Sequence, residues 1–170
     1  MLTGNKPINI VRCYPHNQSH FSKLEDAYAK LFNDNENLRF LSLSNLPFDS
    51  NTISVFIKNS SAEEVVYYVA VSAENNIIGI SAFESDLIKG FDVIGIVVDN
   101  DYRHKGIGKA LINKGIEVAE KRGFKAVDIS VFADNKAMLI LLIKIGFKPI
   151  KIEYHVRFDG EDLIHLKKYL

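Results

Sequence analysis

The residues best suited to chemistry fall in one string, Val98-Asp99-Asn100-Asp101-Tyr102-Arg103-His104-Lys105-Gly106-Ile107-Gly108-Lys109. An apolar run precedes it and a helical repeat follows, so it reads as a loop leaving a buried strand and entering a helix. The first N–H groups of a helix lack intrahelical partners and the dipole adds partial positive charge, which favours phosphate oxygens. Gly106 and Gly108 would let a pyrophosphate approach the backbone, with Arg103, His104, Lys105 and Lys109 around it as cations or donors. Two common phosphate loops do not fit. Lys109 is followed by Ala110 where a Walker loop needs Ser or Thr, and no third glycine stands where a dinucleotide fingerprint needs it.

The spacing Arg103-His104-Lys105-Gly106-Ile107-Gly108 resembles the pyrophosphate loop of the GNAT acetyltransferases: Arg or Gln, two residues, Gly, one residue, Gly or Ala. The likeness runs from residue 91 to residue 147. A strand ending in valine precedes the loop, and Asn135, Met138, Leu141, Lys144 and Gly146-Phe147 fall where the family has its Asn, small or apolar residue, Leu, Lys and Gly-Phe. The resemblance implies an α/β (α+β) fold: a mixed, mostly antiparallel sheet of about six to seven strands flanked by about four helices. It also implies a sheet that splays open beside residues 91–98, with the pantetheine arm of acetyl-CoA in the gap. Backbone groups of Ile96, Val97 and Val98 would bond that arm and the thioester oxygen, Ile107 would sit in the loop, and Asn135 would contact the arm from the other side.

Acyl transfer to an amine needs a deprotonated amine, a polarised thioester and a stabilised thiolate. In the histone-acetylating branch of the family a glutamate at the start of the loop-preceding strand takes the amine proton through water. The resemblance gives that role to Asp92, with Glu84 as the alternative. Many members carry a proton-donating tyrosine one place after the leucine matched to Leu141; this chain has Leu142 there, which leaves Tyr154, water or an unassisted thiolate. Two functions follow: an acyl-CoA-dependent N-acyltransferase acting on a primary amine by direct attack, or a non-catalytic module that binds acetyl-CoA as a signal. A structural domain without the cofactor is disfavoured by the intact basic loop.

The elements that must position these groups can be traced by periodicity. Strands are expected at residues 8–14, 65–71, 77–83, 93–98, 126–132, 149–158 and 162–170, with a turn near Asp159 and Gly160. A helix capped by Ser19 would carry Phe21, Leu24, Tyr28, Leu31 and Phe32 on its inner face and close over residues 33–37. Residues 38–46 are apolar but irregular. Asp49 or Ser50 would cap a second helix with Ile53, Phe56 and Ile57 inward, and helices over 106–122 and 135–146 follow. Alternation sends Tyr154 and His155 to opposite faces of the strand at 149–158.

The 21 basic and 21 acidic residues among 170 cancel, so no overall field draws the chain to nucleic acid, an anionic membrane or acidic substrates. Length, with no linker or repeat, predicts a single domain over residues 1–170. Cys13 is the only cysteine, which excludes an intrachain disulfide and a cysteine-built metal site and suits a reducing cytoplasm. It reads as a small buried hydrophobe. His16, His20 and His165 lack ligand spacing and read as surface or partner-bonded residues, so no metal is expected. Residues 1–12 hold no apolar run long enough for a signal-peptide core, and no run is long enough to span a bilayer. An exposed strand edge near the C-terminus could pair between copies as a homodimer.

Overall fold

Local signals set most of the elements. The computed structural model describes residues 8–59 and 64–170; residues 1–7, part of the N-terminal stretch considered above, lie outside the described residues. In chain order the elements are β1 (Asn9–Cys13), α1 (Gln18–Phe32), α2 (Asn35–Leu41), α3 (Ser50–Asn59), β2 (Val65–Val71), β3 (Ile77–Asp86), β4 (Gly90–Val98), α4 (Ile107–Lys121), β5 (Ala126–Phe132), α5 (Lys136–Lys144), β6 (Lys148–Glu153) and β7 (Leu163–Tyr169). The seven strands form one sheet in the order β1-β2-β3-β4-β5-β7-β6, antiparallel except at β4–β5. This is the mixed, mostly antiparallel sheet that the resemblance implied, flanked by helices on both faces, five of them α-helices among the described residues.

Several boundaries differ for identifiable reasons. Asn17, not Ser19, caps α1: its side chain accepts from the N–H groups of Ser19 and His20. The segment read as closing that helix starts another, because the Asp34 carboxylate accepts from Glu36 and Asn37 N–H and opens α2. In α3, Ile53 and Ile57 are buried as expected, but Phe56 is 44% exposed. β6 stops at Glu153, so Tyr154 and His155 lie beyond it, and His155 takes a positive φ of 55° that no strand residue adopts.

Helices α1 and α3 pack on one face of the sheet, where Leu24, Tyr28, Leu31, Ile53 and Ile57 meet Tyr67, Val69 and Ile80. Cys13 joins that cluster, and burial pushes its thiol up to about 11, so it stays protonated as the hydrophobe it was read to be. Helices α4 and α5 cover the other face through Ile112, Ala119 and Leu142 against Phe91, Val127, Ile129 and Leu166. One glycine of α4 is fixed by this packing. A Cβ at Gly115 would collide with the Phe83 ring, which is itself fully buried and stacked on Phe91. Gly115→Ala is therefore expected to destabilise the fold by about 1–3 kcal/mol, despite alanine's better helix propensity. Chemical denaturation measures it, and an unchanged midpoint would contradict this packing.

The two layers meet at β4. Phe83 pairs with Val93 but Ala82 pairs with Gly95, so Ile94 is an extra residue in the strand. The bulge reverses the alternation, which is why Val93 packs with the α4–α5 layer while Val97, four residues on, joins the α1–α3 layer. A bulge also sharpens the twist, and β4 turns away from β5 at this point.

Candidate functional site

β4 and β5 pair at only two positions, Asp92 with Asp128 and Val93 with Ile129. Past that point the strands diverge, and the edge of β4 that faces β5 has no strand to bond. A cleft of about 910 Å³ fills the divergence. Its walls are residues 93–98 of β4 and 129–132 of β5, and α2 closes one side through Asn37, Phe40 and Leu41. The far end is the loop at residues 102–104 and 106–109 with the start of α5. Ile96, Val97, Val98, Arg103, His104, Gly106, Ile107, Gly108, Lys109 and Asn135 thus come together around one cavity.

The loop ends in an unusual helix start. His104 and Gly106 both have positive φ, 60° and 81°, and α4 begins at Ile107 with no side chain capping it. Ala110 N–H reaches Gly106 O at 3.0 Å, so the N–H groups just before it form the open first turn that faces the cleft. Such a turn takes an anion. Lys109, Lys136 and Lys144 add cationic side chains to the lining, the last two not singled out as site residues from sequence. Asn135 caps α5 through Met138 N–H at 3.2 Å while it lines the cleft.

Two of the loop cations also make contacts that the sequence does not show. Arg103 donates to Glu36 Oε2 at 2.8 Å and to Asn37 Oδ1, so its guanidinium ties the loop to α2 at the cleft wall. Lys105 lies outside the lining: its ammonium donates to the Asp101 carbonyl at 2.9 Å and sits 4.7 Å from the Tyr102 ring centroid.

The acid–base candidates separate as well. Asp92 lies on the opposite strand face from Val93 and lines a smaller cavity of about 250 Å³ with Asp128, Ser130, Lys151 and His165. Glu84 is its cross-strand partner on β3. Partial burial, then the nearby charges of Asp128 and Glu84, raise the Asp92 carboxyl above its usual value, against a smaller opposing effect of Lys167 and Lys89. Asp128 is itself paired with Lys167 at 3.1 Å. Tyr154 is 71% exposed and lines neither cavity, so the structure does not bring it to the other candidates. Leu142 is fully buried on the core side of α5 and does not line the cleft.

Proteins of known family resemble this chain in sequence and in fold. The family model described as Acetyltransferase (GNAT) family matches residues 23–147. The chain belongs to the GNAT acetyltransferase family. The [Ribosomal protein bS18]-alanine N-acetyltransferase of Escherichia coli (strain K12) is 35% identical over 72 residues, which are 41% of this chain and 49% of that enzyme. The matched stretches span a quarter to a half of the length of the curated relatives. Among solved structures, a putative phosphinothricin N-acetyltransferase superposes with a TM-score of 0.80 at 21% identity, covering 96% of this chain and 99% of that one. A putative streptothricin acetyltransferase from Bacillus anthracis str. Ames, solved in complex with acetyl coenzyme A, gives 0.58 at 23% identity, covering 66% of this GNAT chain and 65% of that one. Among the described residues no helix is long and apolar enough to cross a membrane.

Proposed function

We propose that this chain is an N-acetyltransferase that moves the acetyl group of acetyl-CoA to a primary amine by direct attack, with donor and acceptor bound together. The observation that carries the reading is the cleft itself, an apolar slot between strands that ends on the open first turn of α4. A slot lined by Val93, Ile96, Val98 and Ile129 suits a long, thin, mostly apolar arm, and an uncapped helix start suits its pyrophosphate. Acetyl-CoA has both parts; the residues present fit it.

In this reading the backbone of residues 96–98 bonds the pantetheine amides along the edge that β5 leaves unpaired, and one of its N–H groups polarises the thioester oxygen. Asn135 holds the arm from the α5 side. The acceptor comes from the face that carries Asp92 and Asp128, whose carboxylates attract an ammonium group. Asp92 takes the first amine proton through water in the small cavity, as its raised affinity for protons equips it to do. The bS18-alanine acetyltransferase acts on an alanine α-amine by its name, which makes a short peptide beginning with alanine the first acceptor to try. A reducing cytoplasm is the compartment that acetyl-CoA and the single buried Cys13 suit.

Asp92→Asn tests the base. Asp92 must be ionised to act, so kcat should fall as pH drops through its raised value, and the variant should lose both that limb and about a hundredfold in kcat. Acetyl-CoA affinity, measured by calorimetry, should not change. An unaltered kcat would remove Asp92 from the mechanism and turn attention to Glu84.

A further inference from the structure

Three neighbouring strands hold a second set of acid–base groups against the cleft. Ser130 follows Ile129, the last β5 residue paired with β4, and it lines both the cleft and the small cavity. Its cross-strand partner on β7 is His165, and Ser130 Oγ lies 2.8 Å from His165 Nδ1. Beyond the ring, Glu153 Oε1 at the end of β6 stands 3.1 Å from Nε2. That nitrogen is buried, and the carboxylate lies near it without being aligned as a hydrogen bond. Glu153 also accepts from Lys151 at 2.6 Å. Serine, histidine and glutamate thus run in line from the cleft to the sheet edge. In the tautomer whose proton sits on Nε2, the nitrogen facing Glu153, Nδ1 is free to accept from the serine hydroxyl.

Acetyl transfer to a protonated amine takes two protons from nitrogen. Asp92 accounts for the first, which reaches solvent. The second leaves as the C–N bond forms and the C–S bond breaks, and it must end on the sulfur of CoA. Leu142 has no proton to give and is buried in the core. We infer that Ser130, backed by His165 and Glu153, carries this second proton. Ser130 Oγ takes it from nitrogen while its own proton passes to His165 Nδ1, and the imidazolium so formed is held beside Glu153. As the C–S bond breaks, Ser130 gives its proton to the thiolate and recovers the one on Nδ1. One proton has left nitrogen, one has reached sulfur, and serine and histidine are as they began. Ser130 is then a catalytic residue, while His165 and Glu153 act through it. The inference rests on the acetyl-transfer reading.

The test uses the full chain, acetyl-CoA and whichever of an alanine-led peptide, a lysine peptide with a blocked N-terminus and a free amino acid gives the fastest CoA release. Ser130→Ala and His165→Ala should each lose about a hundredfold or more in kcat, with acetyl-CoA affinity unchanged. The double variant should lose no more than the worse single one, because the groups act as a unit. Added imidazole should restore part of the turnover of His165→Ala and none of the double variant. His165→Gln keeps a hydrogen-bonding partner for Ser130 and so guards against misfolding; it should be as slow as His165→Ala. Wild-type kcat in the variants, or losses that simply add without imidazole rescue, would overturn the relay and leave acetyl transfer standing. Failure of the intact chain to release CoA with any of the amines would overturn both.

Discussion

Gly106→Val is expected to weaken acetyl-CoA binding by about a hundredfold, roughly 2.7 kcal/mol, while the chain stays folded. Gly106 holds a φ of 81° at the entrance to α4. A β-branched residue is a steric outlier there, and left-handed backbone costs an L-residue about 1–2 kcal/mol. The added Cβ would meet no protein atom within 4 Å, so the fold itself has room for it. Because Gly106 lines the cleft, the two methyls and any backbone shift fall on whatever occupies the space before the first turn of α4. Calorimetric titration reads the affinity and a thermal melt confirms folding. Wild-type affinity in a folded variant would show that the pyrophosphate lies elsewhere.

Arg157→Ala should have the largest effect on stability, about 3–5 kcal/mol. Its side chain is fully buried, donates to both oxygens of Asp134 and of Asp159 and to the Arg39 carbonyl, and sits 4.9 Å from the Phe132 ring centroid. One guanidinium therefore joins α2, the β5–α5 turn and the loop between β6 and β7. Among the described residues its removal leaves the Asp134 carboxylate with only Arg39, next to the Asn135 cap that lines the cleft. For a chain of this length the melting temperature should drop by roughly 10 °C. The pH dependence has a definite sign. Hydrogen bonds from Arg157 lower Asp159 to about 2. Partial burial pulls Asp134 up, but bonds from Arg157 and Arg39 outweigh it and leave that carboxyl below its usual value. Both depressed groups stabilise the fold fully above the ordinary carboxylate range near pH 4, and that contribution is lost as pH falls toward 2. Melts across that window should therefore show a steeper loss in the wild type than in Arg157→Ala. Parallel curves would mean that the clasp does not govern these two carboxyls.

How far the sequence revealed the site depends on how local each signal is. The loop at 103–108, the strand at 126–132 and the helix at 107–121 were legible because spacing and periodicity within a few residues specify them. Asn17 and Ser19 both have capping side chains, and only the turn geometry chooses Asn17. Asp34 follows the end of α1 so closely that its polar neighbours read as a loop rather than as the start of α2. The bulge at Ile94 has no sequence mark beyond the adjacent Gly95, yet it decides where the sheet opens. Loop motif and charge together place Arg103 and Lys105 at an anion; their bonds to Glu36, Asn37 and the Asp101 carbonyl, with Arg103 still lining the cleft, are invisible in sequence. Ser130 and His165 are 35 positions apart and meet only because β7 inserts between β5 and β6 in a register that no local pattern states. Sequence alone therefore reads His165 as an ordinary histidine.

The most direct measurement is CoA release from acetyl-CoA by the purified chain as the concentration of an alanine-led peptide or another primary amine is raised, with the acetylated amine identified by mass. An acetyltransferase releases CoA in step with acetylated product, and Asp92→Asn slows both together. Acetyl-CoA bound by the chain with no amine-dependent release would contradict the account and make this a module that only senses the thioester.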